Sequence, residues 1–258
     1  MKQLTGEIYQ NRQIGQNYYE LTFQFPITGD TIKPGQFVTL RIDESTVPLL
    51  RRPFAFSGFD QKKQCGSIIY QKRGRGTAIL AGKSKGEHLD VIGPLGNYLH
   101  HSAAQGIPML VAGGIGFGPI YFFSKSLTSQ DIRHHFIFGA RSVHFIPDLP
   151  DFKNMKANIC TDDGSAGFKG TALDYLKTLD KDFLKQMVLY CCGPLPLLTA
   201  CHALALELDI ECFVVMEQIM ACGVGACMGC TVPLADQKKY ARVWMEGPVF
   251  RSKDLIWT

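Results

Sequence analysis

The chain has 258 residues, of which 46% are hydrophobic and 19% charged, and its formal net charge is +4. This composition excludes an intrinsically disordered chain, and a small charge without a Lys/Arg block argues against nucleic acid as a partner. No apolar run approaches the ~20 residues that span a bilayer, so we expect no membrane span. Nine cysteines and an N-terminus without an apolar signal core predict free thiols in the cytoplasm.

Residues 1–102 read as short strands separated by turns. Segments 18–25, 36–42 and 66–71 alternate between apolar and polar residues, and glycine and proline break them up. About six strands at this spacing predict a small antiparallel barrel. One short helix is expected at 77–80.

The pattern changes near residue 107. Segment 107–112 is apolar without alternation, as expected of a strand buried on both faces, and a glycine turn and a helix beginning near Pro119 follow it. Further strands are predicted at 134–138, 157–160 and 187–191, the last followed by a helix over 195–208. We therefore predict an α/β domain with a parallel sheet over 103–210. Residues 211–258 form a cysteine-bearing tail with a possible hairpin around Asp236.

Two glycine turns in this domain each follow an apolar strand and open a helix. The first contains Gly113, Gly114 and Gly116, and the second contains Gly193 and Pro194. Glycines let backbone amides approach a pyrophosphate at a helix N-terminus. Each turn alone is equally compatible with a tight strand-to-helix connection, but two at one sheet edge predict a dinucleotide site.

An acidic pair ends the predicted strand at 157–160. Asp162 could hold the ribose hydroxyls of NAD, although Asp163-Gly164 is equally a simple turn.

The barrel half carries a candidate for a second nucleotide. Arg52 follows Arg51 and precedes Pro53 and Phe54, so a guanidinium able to grip a phosphate stands beside an aromatic ring. Thr77 is predicted to cap a short helix whose N-terminus points at the same phosphates. Each feature alone could be strand-end decoration, but together they indicate a flavin.

Three cysteines of the tail have the spacing C-x4-C-x2-C: Cys222, Cys227 and Cys230. This loop is typical of plant-type [2Fe–2S] proteins, in which a fourth cysteine follows later in the chain. No cysteine follows Cys230. Zinc, held as a structural knot, is an alternative occupant that would also need a fourth ligand.

Taken in chain order, these motifs resemble the electron-transfer subunits of the NAD-linked dihydroorotate dehydrogenases, within the ferredoxin-reductase superfamily. The resemblance is carried by residues 34–37, 51–53, 74–77, 93–96, 113–116, 138–141, 161–165, 192–194, 220–230 and 247–250. It implies an FAD-binding barrel, an NAD-binding α/β domain and a C-terminal [2Fe–2S] domain. It also implies docking onto a catalytic, FMN-holding dehydrogenase of pyrimidine biosynthesis in a hetero-oligomer.

The resemblance also implies site residues. Cys192 is the candidate catalytic residue. Candidate FAD contacts are Arg52, Pro53, Phe54, Ala55, Ile69, Tyr70, Gln71, Gly76 and Thr77. Candidate NAD contacts are Gly113, Gly114, Gly116, Asp162, Gly193 and Pro194, and candidate metal ligands are Cys222, Cys227 and Cys230.

Two positions depart from the family pattern. Ala55 stands where the family's flavin motif has a serine, and Trp244 stands where it has the fourth cluster cysteine. Three hypotheses follow. The first is an electron-transfer flavoprotein whose cluster takes its fourth ligand from Cys212, another side chain or a partner. The others are a cluster-free NADH-dependent flavin reductase and a non-catalytic paralogue that binds a partner.

Overall fold

The computed structural model describes residues 1–27, 31–102, 105–236 and 239–257. These residues form a closed six-stranded barrel, a seven-stranded sheet and a two-stranded sheet. The barrel and the parallel-sheet domain therefore have the fold class that the sequence predicts.

The barrel is built from β1 to β6, which pair in the order β1-β2-β5-β4-β3-β6 with every pair antiparallel. Its alternating side chains fill the interior with large apolar groups, among them Phe23, Phe25 and Phe56. The strands are β1 (Lys2–Gly15), β2 (Tyr18–Gln24), β3 (Phe37–Arg41), β4 (Arg52–Asp60), β5 (Cys65–Gln71) and β6 (His88–Leu95), with helix α1 (Arg75–Gly82) between β5 and β6. The predicted helix at 77–80 is the centre of α1.

The seven-stranded sheet has the order β10-β9-β8-β7-β11-β12-β15, and all its neighbouring strands are parallel except β12 and β15. Its strands are β7 (Ile107–Gly113), β8 (His135–Ala140), β9 (Asn158–Thr161), β10 (Phe168–Lys169), β11 (Met187–Cys192), β12 (Cys212–Val215) and β15 (Val249–Arg251). The helices are α2 (Phe117–Ser129), α3 (Pro150–Asn154), α4 (Ala172–Thr178), α5 (Lys181–Leu184) and α6 (Leu195–Leu208). Every residue of β11 is buried, as the unbroken apolar run predicts.

The tail contributes to two sheets. Strands β13 (Thr231–Pro233) and β14 (Tyr240–Arg242) pair antiparallel on either side of Asp236, as the predicted hairpin requires. Strands β12 and β15 also come from the segment 211–258, yet they belong to the large sheet. The division of the chain at 102 and 210 stays a prediction. None of the helices in the described residues combines the length and apolar character needed to cross a membrane.

Candidate nucleotide-binding cavities and cysteine loop

The two predicted glycine turns lie side by side at the carboxyl edge of the sheet. β7 leads through a turn of 3-10 helix (Gly114–Gly116) into α2, and β11 leads into α6. A side chain at Gly116 would place its Cβ 2.3 Å from the carbonyl oxygen of Cys192, and one at Gly193 would lie 3.1 Å from the Cα of Gly113. Residue 116 must therefore be glycine for the turns to pack this closely.

These turns line a cavity of about 730 Å³ at the edge of the barrel. The predicted NAD contacts that line it are Gly113, Gly114, Gly116, Asp162, Gly193 and Pro194. The structure thus brings all six together, together with two cations that the sequence reasoning did not select, Arg73 and Arg141. Neither cation has an ion-pair partner among the described residues. Arg73 follows the end of β5 and Arg141 follows the end of β8, and ligands bind near strand ends. This position is the sequence signal that could have identified the two arginines.

The two carboxylates at 162 and 163 have different surroundings. The Asp163 carboxylate accepts hydrogen bonds from the backbone amide of Ser165 at 2.9 Å and from its hydroxyl at 2.6 Å, and these bonds lower the pKa of Asp163. The Asp162 carboxylate lines the cavity and makes no hydrogen bond within the described part of the chain. Asp162 is therefore the one available to a ligand, while Asp163 shapes the turn.

A second cavity, of about 230 Å³, lies between β4, β5 and the end of β11. The predicted flavin contacts that line it are Pro53, Phe54, Ala55, Ile69, Tyr70 and Gln71, and Cys192 joins them. The Phe54 and Tyr70 rings meet edge to face at 5.8 Å, and the Tyr70 hydroxyl donates a 2.9 Å hydrogen bond to Asn11. This anchored aromatic wall fits a flat heteroaromatic ring.

The two cavities adjoin. Both are lined by Gln71, Arg73, Ile115 and Glu217. Glu217 follows β12 by two residues at the carboxyl edge of the sheet, and the sequence reasoning missed it. Its surface is exposed to the cavities, but neighbouring protein atoms partly desolvate the carboxyl and raise its pKa, and the charge of Arg73 offsets part of that rise.

Cys192, the candidate catalytic residue, is 3% exposed. Burial, and after it the charge of Glu217, raises the pKa of its thiol well above the ordinary value. Cys192 is therefore a neutral thiol at neutral pH, which suits a role in packing against a ligand ring better than one as a nucleophile.

The phosphate-binding candidates of the barrel meet at α1. A Cβ on Gly76 would lie 3.6 Å from Nε of Arg52, so the guanidinium stands against the first turn of the helix. Arg51 instead pairs with Asp90, which leaves Arg52 as the cation without a carboxylate partner among the described residues.

The expectation that Thr77 is the N-cap was wrong. Gly74 is the N-cap and Thr77 is the third helical residue. The Thr77 hydroxyl reaches back to accept hydrogen bonds from the amides of Arg73 at 2.9 Å and Gly74 at 3.2 Å, so it stabilises the turn before the helix.

The cysteine loop surrounds its first sulfur with amide donors. Sγ of Cys222 accepts hydrogen bonds from the backbone N–H groups of Val224, Ala226 and Cys227 at 3.3–3.5 Å. These bonds, those from Val224 and Cys227 foremost, lower the pKa of Cys222 to about 6. Cys227 is exposed and Cys230 is buried. Across the described ranges, no three His, Cys, Asp or Glu side chains are grouped so that they could hold a metal ion.

Trp244, at the position of the expected fourth ligand, is buried at 6% exposure. Its indole N–H donates a 3.1 Å hydrogen bond to the carbonyl of Gln218, and its ring meets Phe37 edge to face at 4.9 Å. Cys212, one of the alternatives considered above for the fourth ligand, is buried in β12 with its sulfur against Cys191, which argues against that alternative. Three thiols without a fourth do not fit the four-cysteine requirement of a [2Fe–2S] cluster.

An antiparallel barrel joined to a parallel sheet, with two adjoining cavities between them, defines the ferredoxin-reductase-like class of flavin- and NAD-binding folds. The solved structure of an NADH-dependent reduced ferredoxin–NADP oxidoreductase matches with a TM-score of 0.82 and 26% identity, covering 98% of this chain and 90% of that one. Phthalate dioxygenase reductase matches with a TM-score of 0.63 and 15% identity, covering 90% and 87%.

The chain belongs to the family of electron transfer subunits of dihydroorotate dehydrogenase B (NAD(+)). It is 36% identical to that subunit from Geobacillus kaustophilus (strain HTA426), with 95% of each chain covered. It is 34% identical to that from Bacillus pumilus (strain SAFR-032), with 99% of this chain and 98% of the other covered. Residues 217–256 match the iron–sulfur cluster binding domain of dihydroorotate dehydrogenase B.

Proposed function

We propose that this chain passes electrons between NADH and a catalytic dehydrogenase partner by way of bound FAD. The observation that carries the proposal is the junction of the two cavities, which share Gln71, Arg73, Ile115 and Glu217. A dinucleotide in the larger cavity and a flavin ring in the smaller one would meet across these side chains.

The larger cavity would hold NADH. Amides of the two glycine turns would face its pyrophosphate, because residues 113, 116 and 193 leave no side chain in the way. Arg73 and Arg141 would add positive charge, and Asp162 would accept hydrogen bonds from ribose hydroxyls. A carboxylate at that point also disfavours the 2′-phosphate of NADPH.

FAD would lie along β4 and β5. Arg52 and the first turn of α1 would bind its diphosphate, since the guanidinium and the helix N-terminus converge there. Phe54 and Tyr70 would hold the ring system in the smaller cavity. Ala55, which replaces the family's serine, offers only its backbone and a methyl group.

When bound, the two cofactors would supply the redox chemistry of hydride transfer and onward electron transfer. The protein's contribution is placement. The neutral Cys192 thiol would pack against the rings without reacting, and Glu217 would set the local charge and hydrogen bonding at the point where they meet.

The partner is proposed from the family. Its members are named electron transfer subunits of an NAD-linked dehydrogenase, so we expect a hetero-oligomer with a catalytic, FMN-type subunit acting in pyrimidine biosynthesis. All nine cysteines are free thiols, which supports a cytoplasmic location.

The test is an anaerobic titration of the FAD-loaded protein with NADH. We expect one equivalent of NADH to bleach the flavin's visible band, and NADPH to do so with at least ~10-fold weaker apparent affinity. A flavin that binds but stays oxidised in excess NADH would contradict the proposal.

A matched pair of variants links that result to the site. Asp162→Asn should reduce the preference for NADH, whereas Asp163→Asn should leave it unchanged because its carboxylate serves Ser165.

A further inference from the structure

We infer that this chain does not hold a [2Fe–2S] cluster on its own ligands, because Trp244 has converted the fourth ligand position into a wall of the smaller cavity. The inference concerns the cysteine loop alone and does not depend on the proposed NADH and FAD sites. It separates this chain from the cofactor named in the family model that its tail matches.

The thiols outside the cysteine loop are all buried elsewhere in the fold. The chain has nine cysteines, and three of them are in the loop. The remaining six are all buried in the barrel or the large sheet and its helices: Cys65, Cys160, Cys191, Cys192, Cys201 and Cys212. Their strands and helices would have to come apart to deliver a sulfur to the loop.

The backbone at residue 244 lies beside the cysteine loop. The amide of Val243 donates a 3.0 Å hydrogen bond to the carbonyl of Cys230, which ties the segment after β14 to the third cysteine of the loop. Residue 244 is therefore next to the loop, where a fourth ligand belongs.

The side chain of Trp244 cannot act as the fourth ligand. The indole of Trp244 has an N–H donor and no lone pair to offer a metal, and that N–H is already bound to Gln218. The ring packs on Phe37 and lines the smaller cavity together with Pro248. A hydrogen bond therefore holds the indole N–H of Trp244, and packing against Phe37 holds its ring.

The rest of the cysteine loop keeps backbone amide donors around two of its three sulfurs. Sγ of Cys222 accepts three backbone N–H groups, and Sγ of Cys227 accepts the N–H of Gly229 at 3.5 Å. Amides turned toward sulfur suit thiolate ligands. The three thiols are not grouped as a metal site in the described structure. The loop nevertheless keeps these amide donors, and a cysteine at residue 244 would supply a fourth thiol beside it.

The experiment compares wild type with Trp244→Cys and Trp244→Ser. The two variants remove the same indole and differ only in sulfur against oxygen. Each protein is incubated anaerobically with iron, sulfide and a thiol, desalted, and assayed for iron, visible absorbance and, after reduction, its paramagnetic resonance signal. Circular dichroism and a cooperative thermal transition report whether each variant is folded.

We expect about two irons per chain and a [2Fe–2S] signal in Trp244→Cys, and neither in wild type or Trp244→Ser. Wild type that binds about two irons with that signal would overturn the inference. So would a Trp244→Cys variant that is folded by circular dichroism and takes up no iron. If Trp244→Cys fails to fold, the wild-type iron content alone decides.

Discussion

The nucleotide cavities and the cysteine loop differ in how completely each keeps its parts. The nucleotide cavities keep three features whose own residues are in contact: the paired glycine turns, Arg52 against α1, and Phe54 against Tyr70. The loop has three of four thiols, and its fourth position belongs to the smaller cavity. One side chain can therefore be lost from a metal site and gained by a neighbouring cofactor site.

The largest effect is expected at the contact between the two glycine turns. Gly116→Ala would drive its Cβ to within 2.3 Å of the Cys192 carbonyl oxygen. Relieving that clash requires movement of β11 or α2, which should lower the free energy of unfolding by about 2–3 kcal/mol. NADH binding should weaken at least ~10-fold. Chemical denaturation and NADH titration measure the two effects.

Gly82→Ala is the control, because nothing lies within 4 Å of its Cβ position at the end of α1. It should stay within about 1 kcal/mol of wild type. Equal losses in the two variants would mean that the turns tolerate separation.

The second effect is on FAD affinity. Arg52→Ala removes the guanidinium beside α1 and should weaken FAD binding about 10- to 100-fold, as expected for the loss of a charge-assisted hydrogen bond. Fluorescence titration of the flavin-free protein measures it. Arg12→Ala, which breaks only the ion pair with Glu20 on the outside of the barrel, should bind FAD normally. A normal affinity in Arg52→Ala would remove that corner from the proposed site.

The third effect separates the two tryptophans of the chain. Trp244→Phe and Trp257→Phe each remove an indole N–H that donates to a backbone carbonyl, of Gln218 and Ser252 respectively. Each should cost about 1 kcal/mol of stability in chemical denaturation. Only Trp244→Phe should also change flavin affinity or the flavin spectrum, because only Trp244 lines the smaller cavity. Identical flavin properties in both variants would detach Trp244 from the cofactor.

The smallest effect is on pH dependence. The pKa of Glu217 is raised above its ordinary value of 4.5, so the folded protein favours the protonated form. Its contribution to stability is present below the unfolded pKa and is lost as pH rises through the folded pKa. Glu217→Gln should flatten the fall in melting temperature across that interval. A pH profile identical to that of the wild-type protein would show that the carboxyl is not perturbed.

Local patterns were enough to predict the fold. Alternation marks the barrel strands, and unbroken apolar runs mark β7 and β11, because each signal depends on a few adjacent residues. The glycine turns also follow local rules, and the six predicted NAD contacts do line the larger cavity; their role in binding NAD stays a prediction.

What the sequence reasoning missed depends on contacts between distant segments. Glu217 and Arg73 line the same two cavities only because the barrel packs on the sheet edge, and no sequence spacing relates them. The assignment of Thr77 as N-cap was wrong because the N-cap is Gly74, and Thr77 is the third residue of the helix. Trp244 was recognised as a replacement, but its place in the wall of the smaller cavity required the position of Phe37.

The most direct test of this contrast is the ratio of flavin to iron in one anaerobically purified sample of the wild-type protein. We expect about one flavin per chain, bleached by NADH, with iron near zero. About two irons per chain alongside the flavin, with a [2Fe–2S] spectrum, would contradict it.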